Sequence, residues 1–362
     1  MPSHTDPSVA IVGAAGFVGR KLLRQLEERD ISATAIVRGL PELSVDGDFH
    51  GACSAALALA GEGFDVVVNL AYPTSGSPYE YPAQDEAIAR TVHGLVKGGG
   101  RVIQASTLAV FGLALDRQVA PGPVPKVRDA AYVESKLLAE SLLTEQQAKR
   151  GLALDIVRLG NVWGAGSGSW AQPLVQRLIT GRPVGVTGAP GYSNTTDVAN
   201  VAAYLAFLIQ DGRREPGVRY HHLAEFSYVT WSDWADPIAA ELGIEAVCAD
   251  PSVLEMPASG VQELVEALAP LGPRTLYQRM ATERTAGSWA RTLVRHLPSP
   301  ARTRLKTGPF FADEPDLDRA EQSFLAIMAG RQEFTSVVDS AWKPVLTEEE
   351  SLERVLLWLD GG

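Results

Sequence analysis

The stretch "VAIVGAAGFVGRKLLRQLEER" (9–29) constrains this chain more than any other. Four apolar residues with strong strand preference run straight into glycines at 13, 16 and 19. The residues after Gly16 then place apolar side chains at helical spacing. A strand that turns within a few residues into a helix opens a crossover unit, whose helix must pack back onto a parallel sheet. Glycines permit the tight turn and a close backbone approach. The amides and dipole at the helix start stabilise a pyrophosphate. In this strand-turn-helix setting, G-x-x-G-x-x-G predicts a dinucleotide site touched by Gly13, Ala15, Gly16, Phe17, Val18 and Gly19.

The same rhythm continues downstream. Apolar runs at 34–38, 65–71, 101–106 and 154–160 alternate with helical periodicity starting near Gly16, Gln84 and Ala131, which predicts parallel strands joined by crossover helices. The expected fold is α/β: a Rossmann-type doubly wound parallel sheet with a smaller, mostly helical C-terminal substrate domain. Between Arg38 and "VDGDF" (45–49) a crossover helix has little room, and a loop is expected. The sheet domain is expected over 1–165, with 195–224 returning to it as a helix and a strand. The substrate-binding region is expected over 166–194 and 225–362. Thr347 and Glu350 have capping-box spacing ahead of a last amphipathic helix.

The end of the second strand bears on which dinucleotide is bound. An acid there would bond the ribose 2′-hydroxyl, whereas this chain has Arg38, whose guanidinium suits a 2′-phosphate. NADP(H) is expected over NAD(H). The net charge of −11 disfavours nucleic acid or an anionic membrane as the main partner and favours a small-molecule substrate. Cys53 and Cys248 are the only cysteines, and the adjacent His221 and His222 would point to opposite faces of a strand. Neither a disulfide framework nor a metal site is therefore expected. No apolar run reaches the ~18 residues of a membrane span, and the N-terminus lacks a signal-peptide pattern. A cytoplasmic setting is the expectation.

The candidate chemistry lies in "ASTLAVFG" (105–112) and "YVESK" (132–136). A free tyrosine titrates near pH ~10, too high for efficient proton exchange at neutral pH. An ammonium one helical turn away shares its face and favours the phenolate, which is the arrangement of Tyr132 and Lys136. Nine Tyr and seven Lys in 362 residues give about 0.2 such pairs by chance, so the glycine turn upstream and the hydroxyls on the intervening strand carry much of the weight.

With "VVVNLA" (66–71) and "VRLGNVWG" (157–164) in the same order, the chain from Val9 to about Leu223 resembles the extended short-chain dehydrogenase/reductase family. That group includes nucleotide-sugar epimerases, dehydratases and 4-ketoreductases. The resemblance implies that Lys136 also holds the nicotinamide ribose and that a hydroxyl at the strand end bonds the substrate oxygen. That hydroxyl is Thr107, or Ser106, since their side chains alternate. It further implies cofactor contacts from Leu70, Ala71 and Tyr72, adenine contacts from Asp48 and Phe49, and passage of nicotinamide and substrate along Leu159, Asn161 and Val162. Asn161 can equally cap a turn. Trp163, with Trp170, Trp231 and Trp234, either floors the substrate pocket or belongs to the core.

The chain also departs from that pattern. Leu108 and Ala109 follow Thr107 where sugar-nucleotide dehydratases carry an Asp-Glu pair, and "GAPGYSNTTD" (188–197) lacks the arginine that sugar-nucleotide enzymes tend to place there. Water elimination and a nucleotide-sugar substrate are both disfavoured. The expected reaction is NADP(H)-dependent carbonyl reduction, with Tyr132 as general acid and Thr107 and Lys136 beside it. The alternatives are an epimerase with retained cofactor and a non-catalytic NADP-binding sensor. Leu137, Leu138, Leu142 and Leu143 make an apolar stripe wider than one contact needs, and the family dimerises through this helix, so a homodimer is expected. The basic stretch 284–306 is either a solvated face or a contact for an anionic substrate group or an acidic carrier protein.

Overall fold

The computed structural model describes residues 7–37, 49–51, 63–73, 80–111, 122, 131–254 and 317–360. Arg38, Asp48 and the 284–306 stretch lie outside them, and of Phe49 only the backbone is described.

Strand β1 (Val9–Val12) leads through the glycine turn into α1 (Phe17–Glu27) and β2 (Ala33–Val37). Then come β3 (Phe49–Gly51), β4 (Phe64–Asn69), α2 (Tyr81–Leu95), β5 (Val96–Thr107), α3 (Ala131–Arg150) and β6 (Ala153–Leu159). After β7 (Asn161–Trp163), α4 (Ala171–Ile179), β8 (Gly185–Val186) and β9 (Thr195–Asp197), the chain re-enters the sheet layers with α5 (Val198–Gln210) and β10 (Gly217–Leu223). It ends with α6 (Trp231–Glu241), β11 (Cys248–Ala249), α7 (Leu317–Met328) and α8 (Glu348–Asp360).

Seven strands form one sheet in the order β10-β6-β5-β4-β1-β2-β3, and each pairing is parallel. Successive side chains go to opposite faces, as the pleat requires. Val9, Ile11, Val66, Val68, Ile103, Ala105 and Val157 join α1 and α5 in one core. Ala10, Val12, Val67, Val102, Leu154 and Ile156 join α2 and α3 in the other. Burial on both faces explains why these strands read as continuous apolar runs. Leu22 and Leu26 of α1 are almost wholly buried, each contributing about 1.5–3 kcal/mol.

A third core lies beyond the sheet. Trp163, Leu174, Trp231, Trp234, Ile238, Met328 and Val355 gather β7, α4, α6, α7 and α8 around stacked indoles, Trp163 on Trp234 at 4.7 Å and Trp170 on Trp231 at 5.0 Å. Two small parallel pairs, β7–β9 and β8–β11, stiffen this region. The Thr347–Glu350 box caps α8: the Thr347 amide donates to Glu350 at 2.8 Å, and the Glu350 amide to Thr347 Oγ1 at 3.3 Å.

Residues 332–351 then strap back across the sheet layers. Val337 and His222 exchange backbone hydrogen bonds of 2.8 and 3.0 Å, and the amides of Val345 and Leu346 donate to the buried Asn200 side chain. Ser351 donates to Asp197, which itself caps α5 by accepting from the Ala199 amide at 2.7 Å.

Candidate active site

The glycine turn closes through the Gly16 amide donating to the Gly13 carbonyl at 3.1 Å. Gly13 has φ +84°, and a Cβ there would lie 2.8 Å from the Ala71 amide nitrogen, so only glycine lets the end of β4 come this close. Gly19 is fixed differently, since a Cβ would meet the carbonyl oxygens of Ala14 and Gly13 at 2.5 and 2.6 Å. Gly16 is the exposed N-cap of α1 and supplies no capping side chain, and the first turn of the helix holds no acid. These features fit an anionic pyrophosphate. Asn69 braces the neighbouring turn. It accepts from the Ala71 amide at 3.1 Å and donates to Gln104 at 2.7 Å, which fixes Leu70, Ala71 and Tyr72 against the glycines.

Thr107, Tyr132 and Lys136 meet at the C-terminal end of β5. Thr107 hydrogen-bonds Tyr132. Tyr132 is 41 % exposed and packs edge-on against Tyr72, with ring centroids 5.6 Å apart at 79°. Lys136 is buried. Its Nζ lies 3.4 Å from the Ala105 carbonyl, 4.8 Å from the Tyr72 ring centre and 5.9 Å from that of Tyr132.

Ser106 faces the other way and donates to Glu140 Oε1 at 2.5 Å. Glu140 also pairs with Arg158 through Nη2 at 2.7 Å and Nε at 3.0 Å, and the guanidinium is sandwiched between Phe111 and Tyr220. The alternation along β5 thus separates the two hydroxyls: Thr107 meets Tyr132, and Ser106 belongs to a buried ion pair.

The electrostatics differ from the sequence expectation at one point. Burial raises the Tyr132 pKa above its ordinary value, opposed by the hydrogen bond from Thr107 and reinforced by Tyr72. Lys136 does not lower it here, because its ammonium turns toward Ala105 and the face of Tyr72. Burial brings Lys136 itself down to about 8, with Asp85 and Glu140 holding it from falling further.

Asp85 is a residue that sequence reasoning missed. It is buried on α2, and burial pushes its carboxyl up to about 6 against the pull of Ser135 and Lys136. The signal was present, since Asp85 stands on the buried stripe that continues through Ala89 and Val92, a poor place for an acid without a purpose.

The structure gives the other expected contacts these surroundings. Trp163 is completely buried in the third core, so it offers no surface to a substrate, and Leu159 is core beneath α5. Val162 packs on that same core, and the Asn161 amide donates to the Ser193 carbonyl at 2.7 Å, tying β7 to the segment before β9. Among the described residues there is no cluster of three or more potential metal ligands, and no helix is long and apolar enough to cross a membrane.

Comparison with known proteins agrees with this fold. The chain is 30% identical over 201 residues to a UDP-glucose 4-epimerase of Azospirillum brasilense, a match covering 48% of this chain and 55% of that protein. It therefore spans little more than half of that relative's length. It is 26% identical over 251 residues to the 4-hydroxy-2-methyl-3-oxo-4-farnesyl-3,4-dihydroquinoline-1-oxide ketoreductase of Stigmatella aurantiaca, covering 65% of this chain and 73% of that one. The crystal structure of a UDP-glucose 4-epimerase from Thermotoga maritima superposes over 98% of this chain and 99% of its own, with TM-score 0.60 and 13% identity, which establishes the shared fold. The Thermus thermophilus UDP-glucose 4-epimerase, solved as a complex with NAD, gives TM-score 0.54 at 19% identity over 67% of this chain and 86% of that one. The sequence profile of the NAD dependent epimerase/dehydratase family matches residues 9–217, the span that runs from β1 and the glycine turn through Tyr132 and Lys136, and the chain belongs to that family.

Proposed function

We propose that this protein is a nicotinamide-dependent ketoreductase that reduces a carbonyl of a small polar or biosynthetic intermediate, with NADP(H) as its cofactor. The observation that carries this reading is the convergence of Thr107, Tyr132 and Lys136 beside the glycine turn and Tyr72. Gly13, Ala15, Gly16, Phe17, Val18 and Gly19, with Leu70, Ala71 and Tyr72, would hold the dinucleotide, and Arg38 would take a 2′-phosphate. The bound cofactor supplies the hydride.

The protein's own part is positioning and proton transfer. Thr107 and Tyr132 hydrogen-bond the substrate oxygen, and Tyr132 delivers the proton that converts the developing alkoxide to an alcohol. Its raised pKa keeps that proton in place at neutral pH. Lys136 would hold the nicotinamide ribose, and its ammonium, turned from Ala105 toward Tyr132 once the cofactor is bound, would offset the phenolate left behind. The 166–194 and 225–362 regions would supply the substrate contacts.

Lys136 titrates at about 8, so its charge is present below that pH and lost above it. The rate of reduction is therefore expected to fall as pH rises through about 8. Lys136→Arg, which cannot lose its proton there, should remove that limb. A wild-type profile flat between about pH 7 and 9 would contradict the role given to Lys136.

The match to an epimerase supports a second reading, in which the same groups oxidise and then re-reduce one carbon. Titration with NADPH and NADH, followed by turnover assays on carbonyl compounds, tests both. The proposal expects tighter NADPH binding and stoichiometric NADPH consumption. Preference for NADH would refute the cofactor assignment, and turnover without net cofactor consumption would favour the epimerase.

A further inference from the structure

A second cleft, of about 270 Å³, opens between α1, the turn after β7 and α8. Arg20, Lys21 and Arg24 of α1 line it with Arg354 of α8, Gly164 and Asp197, and Phe17 at the start of α1 joins it to the glycine turn. Its charge distribution is unusual for a chain of net charge −11. Among the described residues, none of these four cations has a carboxylate within ion-pairing distance. Arg20 and Arg24 stand one helical turn apart, where like charges repel. Arg20 and Lys21 lie close to the start of α1, where the helix dipole disfavours positive charge, and the first turn has no acid to offset them.

The one acid in the cleft feels the charges of Arg354 and Lys21 at longer range, and its oxygens are bonded elsewhere. Asp197 accepts from the Ala199 amide through one oxygen and from Ser351 through the other. Gly164 keeps the wall bare: at φ +127° a Cβ would come within 3.2 Å of Val198 Cγ1 and 3.4 Å of Asp197 Oδ2. The charge is thus gathered around a recess and not spread over a convex surface. The volume falls just under the ~300 Å³ at which small-molecule pockets begin. Three guanidinium groups and an ammonium suit an anion with several oxygens in a fixed geometry, and they suit it better than a lone carboxylate.

We propose that this cleft is a second anion site, adjoining the glycine turn at Phe17, that takes the phosphate or diphosphate group of a small molecule while the dinucleotide is bound. Inorganic pyrophosphate is the direct probe, titrated calorimetrically at constant ionic strength with and without saturating NADPH or NADH. One saturable site that persists with the dinucleotide present is expected. It should weaken about tenfold or more in R24Q/R354Q, a pair of exposed substitutions whose fold is checked by a thermal melt without ligand. Absence of saturable binding, indifference to R24Q/R354Q, or full displacement by the dinucleotide would each overturn the proposal. The reading of the Tyr132 site fails on different evidence, namely absence of dinucleotide binding, which leaves a pyrophosphate site sensitive to Arg24 and Arg354 intact.

Discussion

Tyr132→Phe is expected to lower kcat for carbonyl reduction by about 10²–10⁴-fold while leaving the dissociation constant of the cofactor within about twofold. The substitution removes a single hydroxyl, partnered by Thr107, from a ring whose packing against Tyr72 and whose place one turn before Lys136 are retained. A loss in kcat and in kcat/KM of the same size would mark an interaction made only as the proton moves. If the variant kept wild-type turnover, Tyr132 would not be the acid and the proposed mechanism would fail. Thr107→Ala should also lower the rate, whereas Ser106→Ala should lower stability first, because Ser106 serves the Glu140–Arg158 pair.

The second large effect concerns that pair. Arg158 has no exposed surface, and Glu140 is the acid it meets among the described residues. Glu140→Ala would leave a buried guanidinium uncompensated and is expected to destabilise the fold by about 3–5 kcal/mol. Replacing both together, as E140L/R158M, should recover most of that loss, since a well-packed apolar pair can match a buried ion pair. Thermal melts of E140L, R158M and E140L/R158M close a mutant cycle. If E140L/R158M were as unstable as Glu140→Ala, the interaction with Ser106 or the contact of Arg158 Nη1 with the Gly122 carbonyl would be the dominant support.

Much of this architecture is legible in the sequence because the parallel strands are buried on both faces and the helices between them are amphipathic. β1, the glycine turn and α1 announce themselves within twenty residues, and Thr347 with Glu350 marks a helix start by capping-box spacing. What the sequence hides depends on partners distant along the chain. β5 begins at Val96, five residues before its apolar run, because pairing with Phe64 extends it into the glycines at 98–100. The two-residue strands β8 and β11 exist through each other, more than sixty positions apart. The choice between Ser106 and Thr107 waits on the sheet's alternation. The pKa of Tyr132 waits on which way the Lys136 ammonium turns, and a four-residue spacing does not specify that. Trp163 reads as pocket floor or, more often for such aromatics, as core until it is found buried against the tilted Trp234 ring.

The strap formed by residues 332–351 has a consequence for how the protein is made. Asn200 has no exposed surface, and its side-chain oxygen is satisfied by the amides of Val345 and Leu346, just as Asp197 is satisfied in part by Ser351. While the chain emerges from the ribosome, the whole parallel sheet and the Tyr132 site are synthesised more than a hundred residues ahead of those partners. During that interval α5 presents polar groups that its final surroundings have not yet answered. The nascent sheet layers therefore close fully only once the strap is made, and maturation of the active site is timed by synthesis of residues 332–351 and not by completion of the sheet.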